Sequence, residues 1–379
     1  MKILNVNMSI DPVTGGGTAE RTVKISQHLA RSGVESSLLT SDIGVDEKLR
    51  NSLSNVKLHM MKNLYSRYYI SRFTFKRIAK IVAEADVVHL MNHWTAINAA
   101  VYRACQQLHK PYVVCPAGAL TIYGRSLLLK RIYNRVVGNQ IIKNATGHIA
   151  IPVEEACRFR EYGVDPDSVK VIPNGIDEED FKSRNDDLFR HKHALGDAPF
   201  VLFLGRLNSI KGPDLLLDAF SKLHLEFPEY HLVFAGPDGG MLESLKAMSL
   251  KTKIQKHVHF IGYIGGDEKS HAYHAAELLA IPSRQEAMSI VALEAGITGT
   301  PVLITDQCGF DDVEYIGGGI VVPASVKGLQ IGLNKFFNSK EELRSIGESL
   351  KAYVLENFTW DAIVKKYIEL YESIINQNN

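Results

Sequence analysis

The sequence predicts an α/β protein of two tandem doubly wound, Rossmann-like domains that face a central cleft. Three observations support this prediction. Short apolar strands alternate with helices from one end of the chain to the other, which is typical of a parallel sheet covered on both faces. The alternation starts again near residue 200, after a charged stretch. A length of 379 residues is long for one hydrophobic core but suits two.

The predicted strands are short apolar runs bounded by turn residues. In the first half they cover residues 2–8, 36–40, 56–60, 87–90, 112–115, 148–151 and 169–172. Helices fall between them, most clearly at residues 19–32. In the second half the strands cover residues 200–204, 231–235, 258–261, 278–281, 302–304 and 319–322, with a helix over 213–226.

The domain boundaries follow from this order of elements. We expect one domain over residues 1–173 and a second over residues 196–356. The charged stretch between them begins with Pro-Asn-Gly-Ile-Asp at 173–177 and indicates a linker. Residues 357–379 follow the completed second sheet, so we expect them to return to the first domain as a helix.

Composition describes an ordinary globular protein, with 45% hydrophobic and 22% charged residues. No apolar stretch has the length of a membrane span, and the first residues lack the apolar core of a signal peptide. Cys105, Cys115, Cys157 and Cys308 show no C-x-x-C spacing, which indicates reduced thiols. We therefore expect a cytoplasmic protein.

The net charge of +1 hides a division between the two halves of the chain. Residues 1–150 carry 20 Lys and Arg against 8 Asp and Glu, and the remainder carries 23 against 34. Two windows, residues 62–80 and 121–144, are basic and contain no acid. Such helices suit an anionic membrane surface, here the inner face of the cell membrane, or a lipid-diphosphate acceptor. A solvated helix face stays open as the alternative, and nucleic acid is not predicted.

Two glutamates in residues 282–301 give the clearest indication of function. A helix starting near Ser289 would direct the N–H groups of Met288, Ser289 and Ile290 towards an anion such as a phosphate. Glu294 would lie about 7–8 Å further along, at 1.5 Å per residue, and Glu286 would precede the helix. A ribose, a diphosphate and a hexose could contact these groups in turn, so the pattern predicts a nucleotide-sugar donor.

A structural ion pair is the alternative for these carboxylates. The helix is apolar on all sides, which indicates burial, and a buried carboxylate needs a partner. Arg206 and Lys211 follow the strand at 200–204 and could hold a diphosphate. One of them could instead pair with Glu286 or Glu294.

Glycines 15–17 follow the first strand and would let backbone approach a ligand closely. A turn without a ligand is the other interpretation of such a run. The spacing departs from G-x-G-x-x-G, which argues against a dinucleotide oxidoreductase.

Together these motifs resemble the retaining glycosyltransferases of family 4, which have the GT-B fold. The resemblance rests on Gly205-Arg206, Lys211-Gly212, the Pro-Asn-Gly-Ile-Asp segment, and Glu286 with Glu294, and it extends over nearly the whole chain. It implies transfer of a hexose from a nucleoside diphosphate sugar to an acceptor hydroxyl with retention, as in bacterial surface-polysaccharide synthesis. No cofactor is implied beyond the donor substrate. No metal is expected either, because Arg206, Lys211 and the amides at the start of the helix would meet the charge of the diphosphate.

The resemblance also implies roles for individual residues. Arg206 and Lys211 would hold the diphosphate, Glu286 the hexose hydroxyls and Glu294 the ribose. The remaining donor contacts would come from residues of both domains, namely Gly16, Gly17, Gly236, Tyr263, Ile264 and the amides of Met288, Ser289 and Ile290. Met288 and Ser289 depart from the family's aromatic-glycine pair.

The family often has a histidine where this chain has Ala117. His89, in the strand at residues 87–90, and His93, just after that strand, are candidate acceptor-side residues, although histidines at strand ends are often structural. An epimerase and a non-catalytic nucleotide-sugar-binding protein remain as alternative functions. The base, the sugar and the acceptor are not specified by these motifs.

Overall fold

The computed structural model describes residues 1–65, 70–71, 74–122 and 126–378. The chain divides into two compact units. The first comprises Met1–Asn174 and Trp360–Asn379, and the second comprises Gly175–Thr359. Each unit is built on its own parallel sheet with helices on both faces, so the predicted pair of doubly wound, Rossmann-like domains is confirmed.

The first unit contains a sheet of seven strands within the described residues, in the order β3-β2-β1-β6-β7-β8-β9. Its strands are β1 (Lys2–Val6), β2 (Glu35–Ser41), β3 (Lys57–Met61), β6 (Val87–Met91), β7 (Tyr112–Cys115), β8 (Gly147–Ala150) and β9 (Lys170–Val171). Strands β4 (Asn63–Tyr65) and β5 (Ile70–Ser71) form a separate antiparallel pair.

The helices of this unit cover the sheet. They are α1 (Gly16–Arg31), α2 (Glu47–Ser52), α3 (Phe75–Ala83), α4 (Ala96–Leu108), α5 (Leu127–Tyr133), a π-helical turn (Asn134–Gly138), α6 (Asn139–Lys143), α7 (Val153–Arg158) and 3-10 turns at Phe159–Tyr162 and Pro166–Ser168.

The expectation of a basic helix over residues 62–80 is wrong for the first part of that window. Residues 63–65 and 70–71 pair as strands, and the helix begins only at Phe75. Thr74 caps it, because its side chain accepts a hydrogen bond from the Arg77 amide. Arg67 and Arg72, which contribute to the predicted basic window, lie outside the described residues.

The second unit contains a sheet of six parallel strands within the described residues, in the order β12-β11-β10-β13-β14-β15. They are β10 (Phe200–Leu204), β11 (His231–Ala235), β12 (Val258–Gly262), β13 (Leu278–Ile281), β14 (Val302–Thr305) and β15 (Gly319–Val322). Its helices are α8 (Asp186–Lys192), α9 (Pro213–Leu223), α10 (Leu242–Lys251), α11 (Asp267–Ala275), α12 (Ile290–Thr298), α13 (Asp312–Tyr315), α14 (Val326–Asn338) and α15 (Leu343–Asn357), with 3-10 turns at Glu178–Phe181 and Lys340–Glu342.

The stretch that the sequence suggested as a linker has structure of its own. Residues 175–195 belong to the second unit. Phe189 of α8 is buried, and its ring lies 6.0 Å from that of Phe200 at the start of β10. Burial of this ring anchors the stretch to the second sheet.

The chain then returns to the first unit as α16 (Trp360–Asn378). In the described part of the chain, no helix is long and apolar enough to cross a membrane. Cys105, Cys115 and Cys308 are buried free thiols, and Cys157 is an exposed one.

Arg21 of α1 joins distant parts of the first unit. Its side chain is fully buried and donates to the carbonyl oxygen of Ile172 at 2.8 Å, to Asn174 Oδ1 and to the Tyr367 hydroxyl of α16. Ile172 and Asn174 lie where the chain leaves the first unit, and Tyr367 follows the point where it returns. One guanidinium therefore ties both segments to α1.

We predict that Arg21→Met loosens α16. The substitution leaves several buried oxygen atoms without their donor, at a cost of about 3 kcal/mol in all, since each orphaned group costs about 1–3 kcal/mol. Amide hydrogen exchange of the whole protein should therefore be roughly 100-fold faster across Trp360–Asn378. Arg50→Met, at an exposed residue of α2, is the control. Unchanged protection of α16 in the Arg21 variant would contradict the role given to Arg21.

Candidate active site

The loop after β10 lies at the carboxyl edge of the second sheet, where strand order reverses between β10 and β13. It is held to the loop after β11 by two backbone hydrogen bonds. The Leu207 amide donates to Pro237 O at 3.0 Å, and the Gly239 amide donates to Leu207 O at 3.0 Å. Arg206, which is partly exposed, and Lys211 lie on this loop.

Two glycines allow the loops at this edge to approach closely. Gly212 has φ +68°, and a β-carbon there would lie 2.1 Å from Pro282 O, in the loop after β13. Gly236 has φ +144°, and a β-carbon would lie 2.0 Å from Gly205 O. Any other residue would push the loops apart. Gly236 was predicted to contact the donor, and its packing against Gly205 is a requirement that the sequence did not reveal.

Lys211 and Glu286 meet at this edge. Lys211 Nζ lies 2.8 Å from Glu286 Oε1, with 33% and 9% of the two side chains exposed. The Ser283 hydroxyl donates to the same carboxylate oxygen, and the Glu286 amide donates to Gln307 O at 2.8 Å. The structure thus brings together two of the predicted catalytic residues, in the ion pair that the sequence left open as an alternative.

Helix α12 begins one residue after Ser289, as the sequence predicted. The expectation of a free Ser289 amide is wrong, because this amide donates to Cys308 O at 3.1 Å. The Ser289 side chain is fully buried, makes no capping bond, and its Oγ has no partner among the described residues. No acceptor in the described part of the chain meets the Ile290 amide, which leaves that donor for an anion.

Glu294 of α12 is a buried carboxylate that has Lys269 and Tyr273 among its partners. Only 1% of its side chain is exposed. Lys269 Nζ lies 2.6 Å from Oε1, and the Tyr273 hydroxyl donates to Oε2 at 2.5 Å. The ammonium group also lies 5.3 Å from the centre of the Phe181 ring. These contacts provide the charge partner that burial requires, and the spacing of the sequence did not indicate Lys269 or Tyr273.

Three other predicted donor contacts differ in their surroundings. The Gly236 amide donates to Gly262 O at 2.7 Å. Tyr263 is 48% exposed and Ile264 only 5%. Tyr263 is therefore accessible, whereas Ile264 contributes mainly to packing.

In the first unit, the glycine loop is organised by a side chain whose role the sequence pattern did not indicate. The Asp11 carboxylate accepts hydrogen bonds from the amides of Val13 at 3.0 Å and Thr14 at 3.2 Å. A β-carbon on Gly15 would lie 2.4 Å from that of Ala19, so packing requires Gly15. Gly16 has φ +64° and open space around it at the start of α1, where Gly17 follows.

His89 and His93 are both buried in the first unit. His89 Nδ1 lies 2.7 Å from the Tyr371 hydroxyl, and burial lowers its pKa to about 3. His93 Nε2 lies 2.8 Å from Asn134 Oδ1, which also accepts from Trp94 Nε1 at 3.0 Å.

The indole can only donate, so this Asn134 atom is the amide oxygen and His93 carries its proton on Nε2. Burial lowers the pKa of His93 to about 4. Both imidazoles are therefore neutral and nearly inaccessible, and neither presents a surface to an acceptor in this structure.

A buried carboxylate supports the loop where the family often has a histidine. Ala117 has φ +55°, and the following amide, of Gly118, donates to Glu155. Glu155 also accepts from the Ile151 amide at 2.9 Å, and burial raises its pKa. The sequence did not identify Glu155.

Family models match both halves of the chain. The model for Glycosyltransferase Family 4 matches residues 15–180, and the model for Glycosyl transferases group 1 matches residues 185–372. The chain belongs to the glycosyltransferases. It is an enzyme of glycosyl transfer, and a nucleotide-sugar donor fits the arrangement of its second unit. The resemblance to the glycosyltransferases of family 4 is thereby confirmed.

Individual relatives agree with the family assignment. An uncharacterized glycosyltransferase of Methanocaldococcus jannaschii is 25% identical over 98% of both chains. D-inositol 3-phosphate glycosyltransferase of Jonesia denitrificans is 30% identical over 63% of this chain, a region that spans 59% of that protein. The structure of HepE from Anabaena in complex with UDP and glucose has a TM-score of 0.82 at 19% identity, covering 98% of this chain and 100% of HepE. This likeness confirms the GT-B fold.

Proposed function

We propose that the enzyme transfers a hexose from a nucleoside diphosphate sugar to a hydroxyl of a glycan or lipid-linked acceptor, with retention at the anomeric carbon. The observation that carries the proposal is the meeting of Lys211 and Glu286, 2.8 Å apart, at the carboxyl edge of the second sheet. A cation for a phosphate and a carboxylate for sugar hydroxyls are thereby available side by side. A sugar diphosphate presents a phosphate on one side of the bond to be broken and sugar hydroxyls on the other, so these two groups match it.

The diphosphate is assigned to Arg206, Lys211 and the start of α12. Positive charge placed in advance stabilises the leaving diphosphate as the glycosidic bond breaks. The helix adds a partial positive charge of about half an elementary unit at its N-terminus. The Ile290 amide supports this assignment, because it has no acceptor among the described residues.

The hexose is assigned to Glu286. Lys211 and Ser283 both contact Oε1, and Oε2 has no partner within the described residues. This second oxygen is therefore the acceptor offered to sugar hydroxyls, while the contacts to Oε1 fix the rotation of the carboxylate.

The configuration at the anomeric carbon is retained, on this proposal, because the acceptor attacks from the front face. The departing phosphate oxygen takes the proton of the acceptor hydroxyl. Support comes from the thiol of Cys308, which lies close enough to Glu286 and Lys211 for both charges to act on it. Cys308 is buried, and burial raises its pKa to about 12. A thiol in that state supplies almost no thiolate near neutral pH and is a poor nucleophile.

Product analysis with labelled nucleotide sugars tests the proposal. The panel comprises UDP-, GDP- and ADP-sugars, each incubated with and without glycan and lipid-linked acceptors. Transfer or slow hydrolysis of one donor supports glycosyl transfer. An epimerised nucleotide sugar would indicate an epimerase, and binding without any product would indicate a non-catalytic nucleotide-sugar-binding protein.

We predict that Glu286→Gln and Arg206→Gln each reduce turnover by about 10²–10³-fold, the usual cost of losing one group that stabilises the transition state. Initial rates with the donor selected by the panel provide the measurement. Glu243→Gln is the matched control, because Glu243 is an exposed carboxylate paired with Lys246. Near-normal turnover by a folded Glu286 or Arg206 variant would remove that residue from the site.

We also predict that Glu294→Gln weakens nucleotide binding by about tenfold or more, since a carboxylate that accepts two ribose hydroxyls contributes charge-assisted hydrogen bonds. Calorimetric titration with UDP, GDP and ADP gives the affinity. Lys269→Gln separates the two roles of Glu294, because it breaks the 2.6 Å ion pair but keeps the carboxylate. If Glu294→Gln leaves affinity unchanged for every nucleotide, Glu294 is a structural partner of Lys269 and not a ribose ligand.

The site of action is proposed to be an anionic membrane surface, which α5 and the turn after it would contact. Leu128, Leu129, Ile132 and Val136, called here the apolar stripe, are all exposed, Val136 to 74%. Their spacing of three and four residues places them on one face. An exposed apolar face of this kind marks an interaction surface.

The charged residues beside the apolar stripe indicate which partner binds there. Arg131, Arg135 and Lys143 are exposed on the same segment, and residues 126–144 contain no acid. Lys130 contributes less to the positive charge of this surface, because its ammonium group already lies 4.3 Å from the centre of the Trp94 ring. An apolar face flanked by cations suits insertion among anionic lipid headgroups. A lipid-linked acceptor would be reached from the same surface.

We predict that the protein co-sediments with phosphatidylglycerol vesicles but not with phosphatidylcholine vesicles, and that salt weakens binding. Each well-placed cation contributes about 1 kcal/mol, so Arg131→Gln with Arg135→Gln should reduce vesicle affinity by roughly 10–30-fold. Leu128→Ser with Val136→Ser should also reduce it, whereas Leu225→Ser, at a leucine 91% exposed in the second unit, should not. Absent sedimentation of the wild type, or equal sedimentation of all variants, would favour a solvated helix face and a soluble acceptor.

A further inference from the structure

A bidentate ion pair connects the two loops that carry Lys211 and Glu286. Arg284 Nη1 donates to Asp214 Oδ1 at 2.9 Å, and Arg284 Nη2 donates to Asp214 Oδ2 at 2.6 Å. Arg284 lies two residues before Glu286, and Asp214 lies three residues after Lys211, in the first turn of α9. About a third of each side chain is exposed.

The same arginine also fixes the main chain of the loop after β10. Its Nη1 donates to Ser209 O at 2.7 Å, and its own amide donates to Ile210 O at 2.7 Å. The carbonyl groups of the two residues before Lys211 and the carboxylate three residues after it are therefore held by a single residue. The packing of Gly212 against Pro282 completes the contact between the loops.

This arrangement depends on the shape of a guanidinium group. Its planar fork donates two parallel hydrogen bonds to the carboxylate and still has donors for Ser209 O. A lysine ammonium is a point charge and does not reproduce both contacts. The contribution of the pair to overall stability is small for a partly exposed ion pair, typically about 1 kcal/mol or less, so its main effect is geometric.

We propose that Arg284 and Asp214 are positioning residues for sugar transfer, which set the geometry of the Lys211–Glu286 pair before the donor binds. The inference rests on the proposed function, because it assigns Lys211 and Glu286 to the donor. Neither Arg284 nor Asp214 touches the substrate on this account. Misplacing a reacting group by about 1 Å can lower a rate by roughly 100-fold, so the clamp acts on turnover through Lys211 and Glu286.

The experiment compares Arg284→Ala, Asp214→Ala, the double variant and Arg284→Lys in the full-length protein. Arg184→Ala is the matched control, because Arg184 makes a bidentate pair with Asp186 elsewhere in the second unit. Two measurements are made on each protein. Amide hydrogen exchange reports the order of residues 205–212 without any ligand, and steady-state kinetics with UDP-glucose, GDP-mannose and ADP-glucose report kcat and the donor KM.

We expect exchange in residues 205–212 to become at least tenfold faster in Arg284→Ala and Asp214→Ala, and kcat to fall at least tenfold and by more than KM rises. The double variant should be no worse than the poorer single variant, since the two residues act as a unit. Arg284→Lys should restore neither property, and Arg184→Ala should change neither.

Wild-type kcat in Arg284→Ala, or full activity in Arg284→Lys, would overturn the positioning role even if the loop exchanges faster. A wild type that turns over none of the three donors would instead count against the proposed function. In that case the exchange measurement still decides the inference, because unchanged protection of residues 205–212 in Arg284→Ala and Asp214→Ala would show that the pair does not order the loop.

Discussion

The close approach of main-chain segments at the carboxyl edge of the second sheet is the constraint on which the site depends. At Gly212, Gly236 and Gly309, a β-carbon would lie between 1.8 and 2.1 Å from a carbonyl oxygen of another loop. These glycines let the loops after β10, β11, β13 and β14 touch through their backbones. Lys211 and Glu286, 75 residues apart in sequence, can form an ion pair only because of that contact. The same approach brings Cys308 O to the Ser289 amide, which determines which amides of α12 remain for a ligand.

Buried charges form a second set of constraints, and each has its own partners. Glu294 has Lys269 and Tyr273, Glu155 has two amides, and Arg21 has oxygen atoms of three residues. Replacing a buried ion pair by apolar residues is often neutral or stabilising. A contribution to stability alone therefore does not explain why a buried ion pair of Lys269 and Glu294 is present. If Glu294 binds the donor, the ion pair has a second role. Lys269 and Tyr273 would then keep the Glu294 carboxylate charged and oriented to accept hydrogen bonds.

Every strand predicted for the two sheets is present, because apolar runs bounded by turn residues carry that information locally. The antiparallel pair of β4 and β5 was missed, since the aromatic residues of this run suit a strand as well as a helix face. The residues of the candidate site could be predicted where they directly follow the end of a strand or lie at the start of a helix. The contacts among them were not, because Arg284 and Asp214 are 70 residues apart and Arg21 and Tyr367 are 346 apart. Nothing in sequence spacing encodes such pairings.

The resting state of the proposed site has consequences for the reaction. Without a donor, Glu286 neutralises Lys211 at 2.8 Å, so an arriving diphosphate would meet the partial positive charge at the start of α12 before that of Lys211. When a hexose hydroxyl engages Glu286 Oε2, the carboxylate shares its charge between the sugar and Lys211. Bond breaking then adds negative charge to the leaving phosphate, and Lys211 gains more from that oxygen than from a carboxylate already engaged with the sugar. Interactions that strengthen only as the bond breaks lower the barrier without tightening ground-state binding. A cation shared between a carboxylate and a leaving group has that property, provided that both loops hold their positions while the charge moves.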